Sequence, residues 1–334
     1  MDVYHDKNIW GKGRPETKLT AHSVSQSFLW GEQEIFIPAV YTGKAGAVLD
    51  VCAKIPTEDM AAFLKKWDYK RRMSLKTSEE FEQIDADNPG SREFAVEISL
   101  DGTPLVRRMS SSLRWYPKNI IQMGNADPVS EDGFENSESA EEWMDVYGCD
   151  RKCCWYFNRL SYNWSGEPIL SPQKISLDLQ ANLISIPAEH FSTGASCDGE
   201  TVKTAHPITG QEYTLTLHEC EQTRHSFAEI GAKGMIYPEY CRTLSYSITP
   251  EINRSLFTIR DCTEGDKPKK EDTQKDSGHK DGPTTIFMAG KSTAPDRRIA
   301  VSSLHFEPVP KVQWRIVFLT KPKDDIKISF PIKA

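Results

Sequence analysis

The second half of the sequence is a succession of short stretches in which apolar and polar residues alternate. Examples are KISLDLQA (174–181), EYTLTLHE (212–219) and VQWRIVFL (312–319), and turn residues separate such stretches. Successive side chains of a strand point to opposite faces, so this alternation indicates strands with one buried face. Repeated short strands of this kind are typical of antiparallel sandwiches and barrels. The sequence therefore predicts a mostly β protein, built of antiparallel β-sandwich or barrel-like units with two or three short helices.

The first part of the chain, residues 1–124, has the pattern of a β-rich unit that carries one helix. Two alternating runs within 94–115 are joined by Asp101-Gly102, and this dipeptide between such runs is a strong signal for a tight hairpin. A helix is predicted over 57–67, because apolar residues recur there three and four positions apart and so share one helical face. These residues are Met60, Phe63, Leu64 and Trp67.

An acidic stretch separates this unit from the rest of the chain. Residues 119–150 contain no Lys or Arg, and 137–148 begin with a serine and end with a glycine, as a capped helix does. We expect an acidic helical connection over 125–148, followed by a C-terminal antiparallel β unit over 149–334. Residues 264–283 carry almost no apolar side chains, so this segment is expected to be a mobile surface loop.

Charge and hydropathy restrict the partners and the location. The net charge is −7, and an acidic chain of this kind lacks the basic face with which proteins usually bind nucleic acid. No apolar run reaches the roughly 18 residues of a membrane span, and the N-terminus lacks the pattern of a secretory signal. We therefore expect a soluble cytoplasmic protein that binds neither nucleic acid nor membrane, with cysteines in the reduced state.

Sequence motifs of the common enzyme classes are absent. There is no G-x-S-x-G, no H-E-x-x-H, no Walker A motif and no G-x-G-x-x-G. A protein without catalysis and without a cofactor is the leading interpretation. The alternative is a carbohydrate-acting hydrolase, whose paired carboxylates cannot be chosen among the 48 Asp and Glu residues, because the separation that catalysis needs is spatial.

A cluster of cysteines near residue 150 suggests a second alternative, a zinc-stabilised structural protein. Cys149 is followed by the adjacent pair Cys153 and Cys154, of which one could join it in a metal site, since neighbours in a strand face opposite ways. His218 and Cys220 lie two residues apart and so share a strand face. The candidate zinc ligands are therefore Cys149, Cys153, His218 and Cys220, whereas the competing interpretation treats the cysteines as small buried hydrophobes.

The aromatic strand that follows these cysteines supplies the candidate ligand site. In WYFNRLSYNW, a strand conformation places Tyr156, Asn158, Tyr162 and Trp164 on one face. Aromatic rings beside an amide are suited to a sugar or peptide groove, although the strand could equally be buried on both faces. The predicted function is thus the binding of an unidentified protein, peptide or carbohydrate ligand, with the oligomeric state left open.

Overall fold

The alternating stretches of the sequence form antiparallel strands, and strands account for more than half of the structure. Along Phe94–Leu100, for example, buried residues recur at every second position, because one face of the strand packs on a core. The predicted fold class, mostly β with a barrel-like sheet and short helices, is confirmed. The computed structural model describes residues 1–9, 13–67, 77–90, 94–124, 136–226, 235–263, 265–270 and 296–333.

The described residues form seventeen strands, numbered in chain order. Every pairing between two of them is antiparallel. The strands are β1 (Thr20–Trp30), β2 (Gln33–Gly43), β3 (Gly46–Ile55), β4 (Phe94–Leu100), β5 (Thr103–Trp115), β6 (Cys154–Trp164), β7 (Lys174–Ala181), β8 (Ile184–Thr193), β9 (Thr201–Ala205), β10 (Glu212–Arg224), β11 (Met235–Ile236), β12 (Tyr240–Thr249), β13 (Phe257–Asp261), β14 (Lys269–Lys270), β15 (Arg298–Val301), β16 (Val312–Thr320) and β17 (Ile326–Pro331).

The chain divides into two compact units, each built from discontinuous segments. The division differs from the ranges 1–124 and 149–334 expected from the sequence, because β6 pairs with β3 and β5 of the first range. Of the expected acidic connection, residues 125–135 lie outside the described part of the chain. Unit 1 consists of Met1–Lys76, Ile84–Leu183 and Lys321–Ala334, and unit 2 consists of Thr77–Gln83 and Ile184–Thr320.

Unit 1 is an eight-stranded sheet that curls into a nearly closed barrel. The strand order is β1-β2-β3-β6-β5-β4-β7-β17, and a bridge between Ser23 and Lys333 brings the two outer strands together. The inner face is lined by branched and aromatic side chains, which form one core that includes Ile37, Leu49 and Leu177. A sheet folded back on itself in this way buries one side of every strand.

The barrel is incomplete where β4 meets β5. These strands form the predicted hairpin, with Asp101 and Gly102 at positive φ angles in the turn. They pair only next to that turn, at Ser99–Pro104 and Leu100–Thr103. On their other edges β4 pairs with β7 and β5 pairs with β6. Beyond the turn, β4 and β5 have no pairing with each other among the described residues, which leaves a gap in the wall.

The helices of the described chain are short, and two agree with the sequence predictions. The helix α1 (Thr57–Trp67) has the predicted bounds, and it buries Met60, Phe63 and Leu64. The helix predicted within 137–148 begins after Ser137, whose side chain accepts a hydrogen bond from the amide of Ala140, and ends at Gly148 in the left-handed conformation. The four α-helices of the described residues are α1 (Thr57–Trp67), α2 (Ser78–Asp87), α3 (Lys118–Gly124) and α4 (Glu138–Tyr147).

Unit 2 contains separate small sheets around its own core. One sheet has the order β15-β12-β10-β9 and another has β13-β16-β8, with a two-stranded ladder of β11 and β14 beside them. Trp314, Phe318 and Leu217 are among the residues of the core. Of the segment 264–283, predicted to be mobile, only 265–270 are described, so that prediction lies outside the described residues. No helix among the residues with described structure is both long and apolar enough to cross a membrane.

Candidate functional site

The predicted aromatic strand is β6, in the centre of the unit 1 sheet. Its neighbours are β3 on one side and β5 on the other. All four residues predicted to bind a ligand lie on the face of β6 that points into the barrel. They share this face because they are separated by even numbers of positions. These residues are Tyr156, Asn158, Tyr162 and Trp164.

Two of these four side chains are held by the protein itself. The Tyr162 hydroxyl donates to the carbonyl oxygen of Val96 at 2.9 Å, and the Trp164 indole N–H donates to the carbonyl oxygen of Gly43 at 2.9 Å. Tyr162 is fully buried and Trp164 packs against the same core. Their polar atoms therefore have partners already, and their rings contribute to the barrel core.

The other two, Tyr156 and Asn158, border a cavity of about 120 Å³. This cavity lies at the gap between β4 and β5, since its lining includes Phe94 of β4 and several residues of β5. Small serine side chains occupy positions of β5 that a larger residue would fill. The lining residues are Phe94, Arg107, Ser110, Ser111, Ser112, Tyr156 and Asn158.

Consecutive residues of β5 border the cavity, which shows that the edge of the strand faces it. Ser110 and Ser112 pair with Leu160 and Asn158 and so point into the barrel. Ser111 points the other way, where its hydroxyl accepts a hydrogen bond from the amide of Ile9 at 3.2 Å. Neighbouring side chains of a strand cannot face one side, so the backbone of Ser111 is what borders the cavity.

Asn158 carries an unsatisfied hydrogen-bonding atom at this place. The residue is only 7 % exposed, and its Oδ1 atom is buried without a hydrogen-bond partner. Buried polar atoms are nearly always paired in folded proteins, and a lone one is explained by a water, an ion, a ligand or strain. Six other buried side-chain atoms of the described residues also lack a partner, and that of Asn158 differs from them in bordering the cavity. The amide of Asn158 can accept a hydrogen bond from such a group.

The charge at the cavity is positive. Arg107 is exposed and, among the described residues, its guanidinium makes no hydrogen bond or ion pair. Burial raises the pKa of the Tyr162 phenol well above its ordinary value, and the nearby charge of Arg107 opposes that shift. The described residues that line the cavity include no carboxylate. The site therefore favours a negatively charged group.

Arg114 extends this positive surface along β5. Its guanidinium lies over the ring of Tyr156, with 5.8 Å between the guanidinium carbon and the ring centroid. One of its nitrogens donates to the carbonyl oxygen of Gly90 at 3.4 Å. Arg108 differs from both, because it donates to the carbonyl oxygen of His5 at 3.1 Å and lies away from the cavity lining.

The predicted zinc ligands fall into two groups in different units. Cys149 and Cys153 belong to unit 1, whereas His218 and Cys220 belong to unit 2. The Cys153 thiol donates to Asp150 at 3.7 Å, the His218 ring bonds the Ser247 hydroxyl at 3.0 Å, and Cys220 contacts the Thr193 hydroxyl at 3.2 Å. Over the part of the chain that is described, no three His, Cys, Asp or Glu side chains converge as metal ligands do.

The cysteines behave mainly as buried thiols. All eight are free, and five of them are buried. Burial raises the pKa of the Cys154 thiol to about 12. Cys149 is the exception, because a hydrogen bond from Cys52 lowers its pKa.

Sequence reasoning missed the residues of β5 and β4 that complete the cavity. Arg107 and the serines that follow it, in RRMSSS (107–112), lie in a strand that lines the barrel, although Arg107 and Ser110 are exposed at the gap. Polar residues at positions that face a barrel interior are the signal that could have identified the site. Their meaning depends on the divergence of β4 from β5, which no local pattern indicates.

Comparison with known proteins gives no relative for this chain: no family model, no curated protein and no solved structure matches it. The chemistry of the cavity is therefore the basis for a proposed function.

Proposed function

We propose that the protein is a binding protein, which takes an anionic ligand group into the cavity between β4 and β5 of unit 1. The proposal rests on one observation. The cavity joins the guanidinium of Arg107, which makes no hydrogen bond or ion pair among the described residues, to a buried acceptor that has no partner there, Oδ1 of Asn158, and the described lining contains no carboxylate. A ligand that brings an anion for the first and a hydrogen-bond donor for the second would satisfy both.

The volume of the cavity limits the size of this group. A cavity of about 150 Å³ in another protein accommodates benzene, so 120 Å³ suits a group of roughly five or six non-hydrogen atoms. Small hydroxy acids and the acidic side chains of larger molecules have this size. The hydroxyls of Ser110 and Ser112 can donate hydrogen bonds to a ligand carboxylate beside Arg107. Hydrogen bonds to a charged acceptor are stronger than those between neutral groups.

Binding is favoured over hydrolysis at this place. Glycoside hydrolysis needs two carboxyl groups that flank the bond to be cleaved, and the lining contains none. The proposal keeps the cytoplasmic location expected from the sequence. The free state of all eight cysteines supports it, since a reducing compartment keeps thiols unpaired.

Isothermal titration calorimetry with L-malate, and with malamide as its uncharged counterpart, tests the proposal. Malate should bind and malamide should not. Arg107→Gln should weaken malate binding about tenfold, the usual effect of losing one charged hydrogen bond. Arg108→Gln is the matched control, because this neighbouring arginine points away from the cavity and its loss should change affinity less than twofold. Equal effects of the two substitutions, or equal binding of malate and malamide, would remove the basis of the proposal.

A further inference from the structure

Among the described residues, the edge of β5 that faces β4 has no backbone partner along most of its length. Antiparallel strands direct the N–H and C=O groups of alternate residues to opposite neighbours. On one side β5 pairs with β6 from Leu105 to Trp115, but on the other side it pairs with β4 only at Thr103 and Pro104. Within the described residues, no other backbone group bonds to this edge. Open edges of this kind accept an additional strand.

We infer that the ligand is an extended acidic peptide segment, which adds to the open edge of β5 as a strand and places acidic side chains beside Arg107 and Arg114. The inference rests on the proposed function, because it assigns the anionic group in the cavity to a side chain of this peptide.

The cavity supports a strand rather than a free small acid. Because Ser110, Ser111 and Ser112 all border it, a ligand there meets the backbone edge of β5 and not only side chains. From Ser110 to Trp115 the register with β6 is regular, which gives a straight edge of about 20 Å. A strand added at that edge would lie at the usual separation of strands, about 4.8 Å.

The register of β6 defines where the acidic residues of the peptide must stand. On the inner face Arg107 lies opposite Tyr162 and Arg114 lies opposite Tyr156. Tyr162 and Tyr156 are six positions apart, with Leu160 and Asn158 between them on the same face. The register of β5 with β6 shifts between Arg107 and Met109, and an added strand that passes this irregularity as β6 does would have the same spacing of six positions. It would carry acidic residues at its first and seventh positions and small residues at its third and fifth.

Charge complementarity selects an acidic partner. β5 carries three arginines and no carboxylate, and two of the arginines face inward along the open edge. Cross-strand pairs of opposite charge stabilise a sheet, whereas like charges opposite each other destabilise it. A basic segment would therefore be rejected by the same edge.

The peptide Glu-Val-Thr-Val-Thr-Val-Glu, blocked at both ends, is a suitable probe. Its sequence reads the same in both directions, so it fits a parallel or an antiparallel addition. Fluorescence anisotropy of a labelled copy should show binding. Replacing both glutamates by lysine should abolish it. Arg107→Gln should weaken binding about tenfold, the size of one charged contact, and Arg108→Gln should leave it within twofold.

Backbone methylation separates strand addition from simple anchoring of side chains. One variant peptide carries N-methyl groups at positions 3 and 5, and another carries them at positions 2, 4 and 6. Only one of these sets points toward β5 in an added strand. One methylated peptide should therefore lose binding at least tenfold while the other keeps it. If both keep it or both lose it, strand addition is refuted.

The failure of this inference can be told from that of the proposed function. Malate binding that depends on Arg107, together with no binding of the peptide, would overturn the peptide inference and leave the anion site in place. If neither malate nor the peptide binds, both are overturned. If the peptide binds equally well with glutamate or lysine at its ends, the acidic character of the partner is refuted.

Discussion

The buried ion pair of Asp50 and Arg159 should be the most sensitive point of unit 1. Asp50 of β3 is 0 % exposed and Arg159 of β6 is 4 % exposed. The guanidinium binds both carboxylate oxygens, with Nε to Oδ1 at 2.8 Å and Nη2 to Oδ2 at 2.6 Å. An arginine keeps its charge in any protein environment. Removing Asp50 would therefore leave a buried positive charge without a counter-ion.

The expected size of the effect follows from what surrounds the pair. Removing one partner of a buried pair lowers the free energy of unfolding by about 3–5 kcal/mol. The ring of Trp143 lies 4.8 Å from the guanidinium carbon of Arg159, and this cation–π contact remains when Asp50 is replaced, so it does not change the expected difference. The hydroxyl of Tyr147 donates to Oδ2 of Asp50 at 2.6 Å, so it also loses its acceptor. We expect about 3 kcal/mol for Asp50→Asn and about 5 kcal/mol for Asp50→Ala.

Hydrogen exchange followed by mass spectrometry measures this loss in the right place. Peptides from β3 and β6 report the opening of unit 1 alone, so the unfolding of unit 2 does not confuse the result. Asp145→Asn is the control, because Asp145 makes its ion pair with Arg151 at the surface, at 2.7 Å. Exposed pairs contribute about 0.2–1 kcal/mol. The double variant Asp50→Leu with Arg159→Met should recover most of the stability lost in Asp50→Ala, since an apolar pair replaces the charges.

Two outcomes would refute this reasoning. A loss below about 1 kcal/mol for Asp50→Ala would mean that Arg159 finds water or another partner without difficulty. A double variant as unstable as Asp50→Ala would mean that the hydrogen bonds around Asp50, and not the unpaired charge, account for the loss.

Two further predictions use the ionisation of buried groups. Burial raises the pKa of Tyr246 in unit 2 to about 12, so the contribution of Tyr246 to the free energy of unfolding should be constant below pH 10 and fall by about 2–3 kcal/mol between pH 10 and 12. In that range the phenol releases its proton in the unfolded chain before it does so in the folded one. Tyr246→Phe should therefore remove this loss in urea titrations. A variant whose free energy of unfolding has the same pH dependence as the original protein would contradict the assignment. The Cys149 thiol has a lowered pKa and the Cys154 thiol a raised one, so iodoacetamide at pH 8 should modify Cys149 first in the folded protein. Peptide mass spectrometry measures the order, and equal rates would show that neither environment acts as described.

Local features of the fold were predictable because their signals lie within a few residues. The helix α1 follows from the spacing of Met60, Phe63 and Leu64. The turn between β4 and β5 follows from Asp101-Gly102, since a two-residue turn of this type needs positive φ at both positions. In the same way, the serine before α4 and the glycine after it fix the ends of that helix.

The pairing of distant strands could not be predicted from these signals. Alternation shows that β6 and β17 are strands, but it does not show which strands they join. β6 inserts between β3 and β5, and β17 returns from the end of the chain to pair with β7. Unit 1 is therefore discontinuous in sequence, and any boundary placed by changes in composition alone divides it.

The candidate site shows the same limit. The alternation of β6 places Tyr156, Asn158, Tyr162 and Trp164 on one face, and the structure agrees. The alternation does not show which of these residues border the cavity, as Tyr156 and Asn158 do, and which fill the core, as Tyr162 and Trp164 do. The difference between cavity and core positions depends on where β4 and β5 cease to pair. The sequence of β6 alone does not contain that information.

Ser112 and Asn158 place polar groups on the inward side of the sheet, at a half-buried and a buried position, and this is unfavourable for stability and supports a function for them. A large apolar side chain buried at the position of Ser112 would contribute about 1.5–3 kcal/mol. Without any partner, Oδ1 of Asn158 would destabilise the fold by a further 1–3 kcal/mol or so. Both features occur at one cavity, beside Arg107, whose guanidinium has no hydrogen bond or ion pair among the described residues. Local rules of folding are broken mainly at functional sites, and a strand added at this edge would supply the missing donor, the missing anion and the missing backbone partner together.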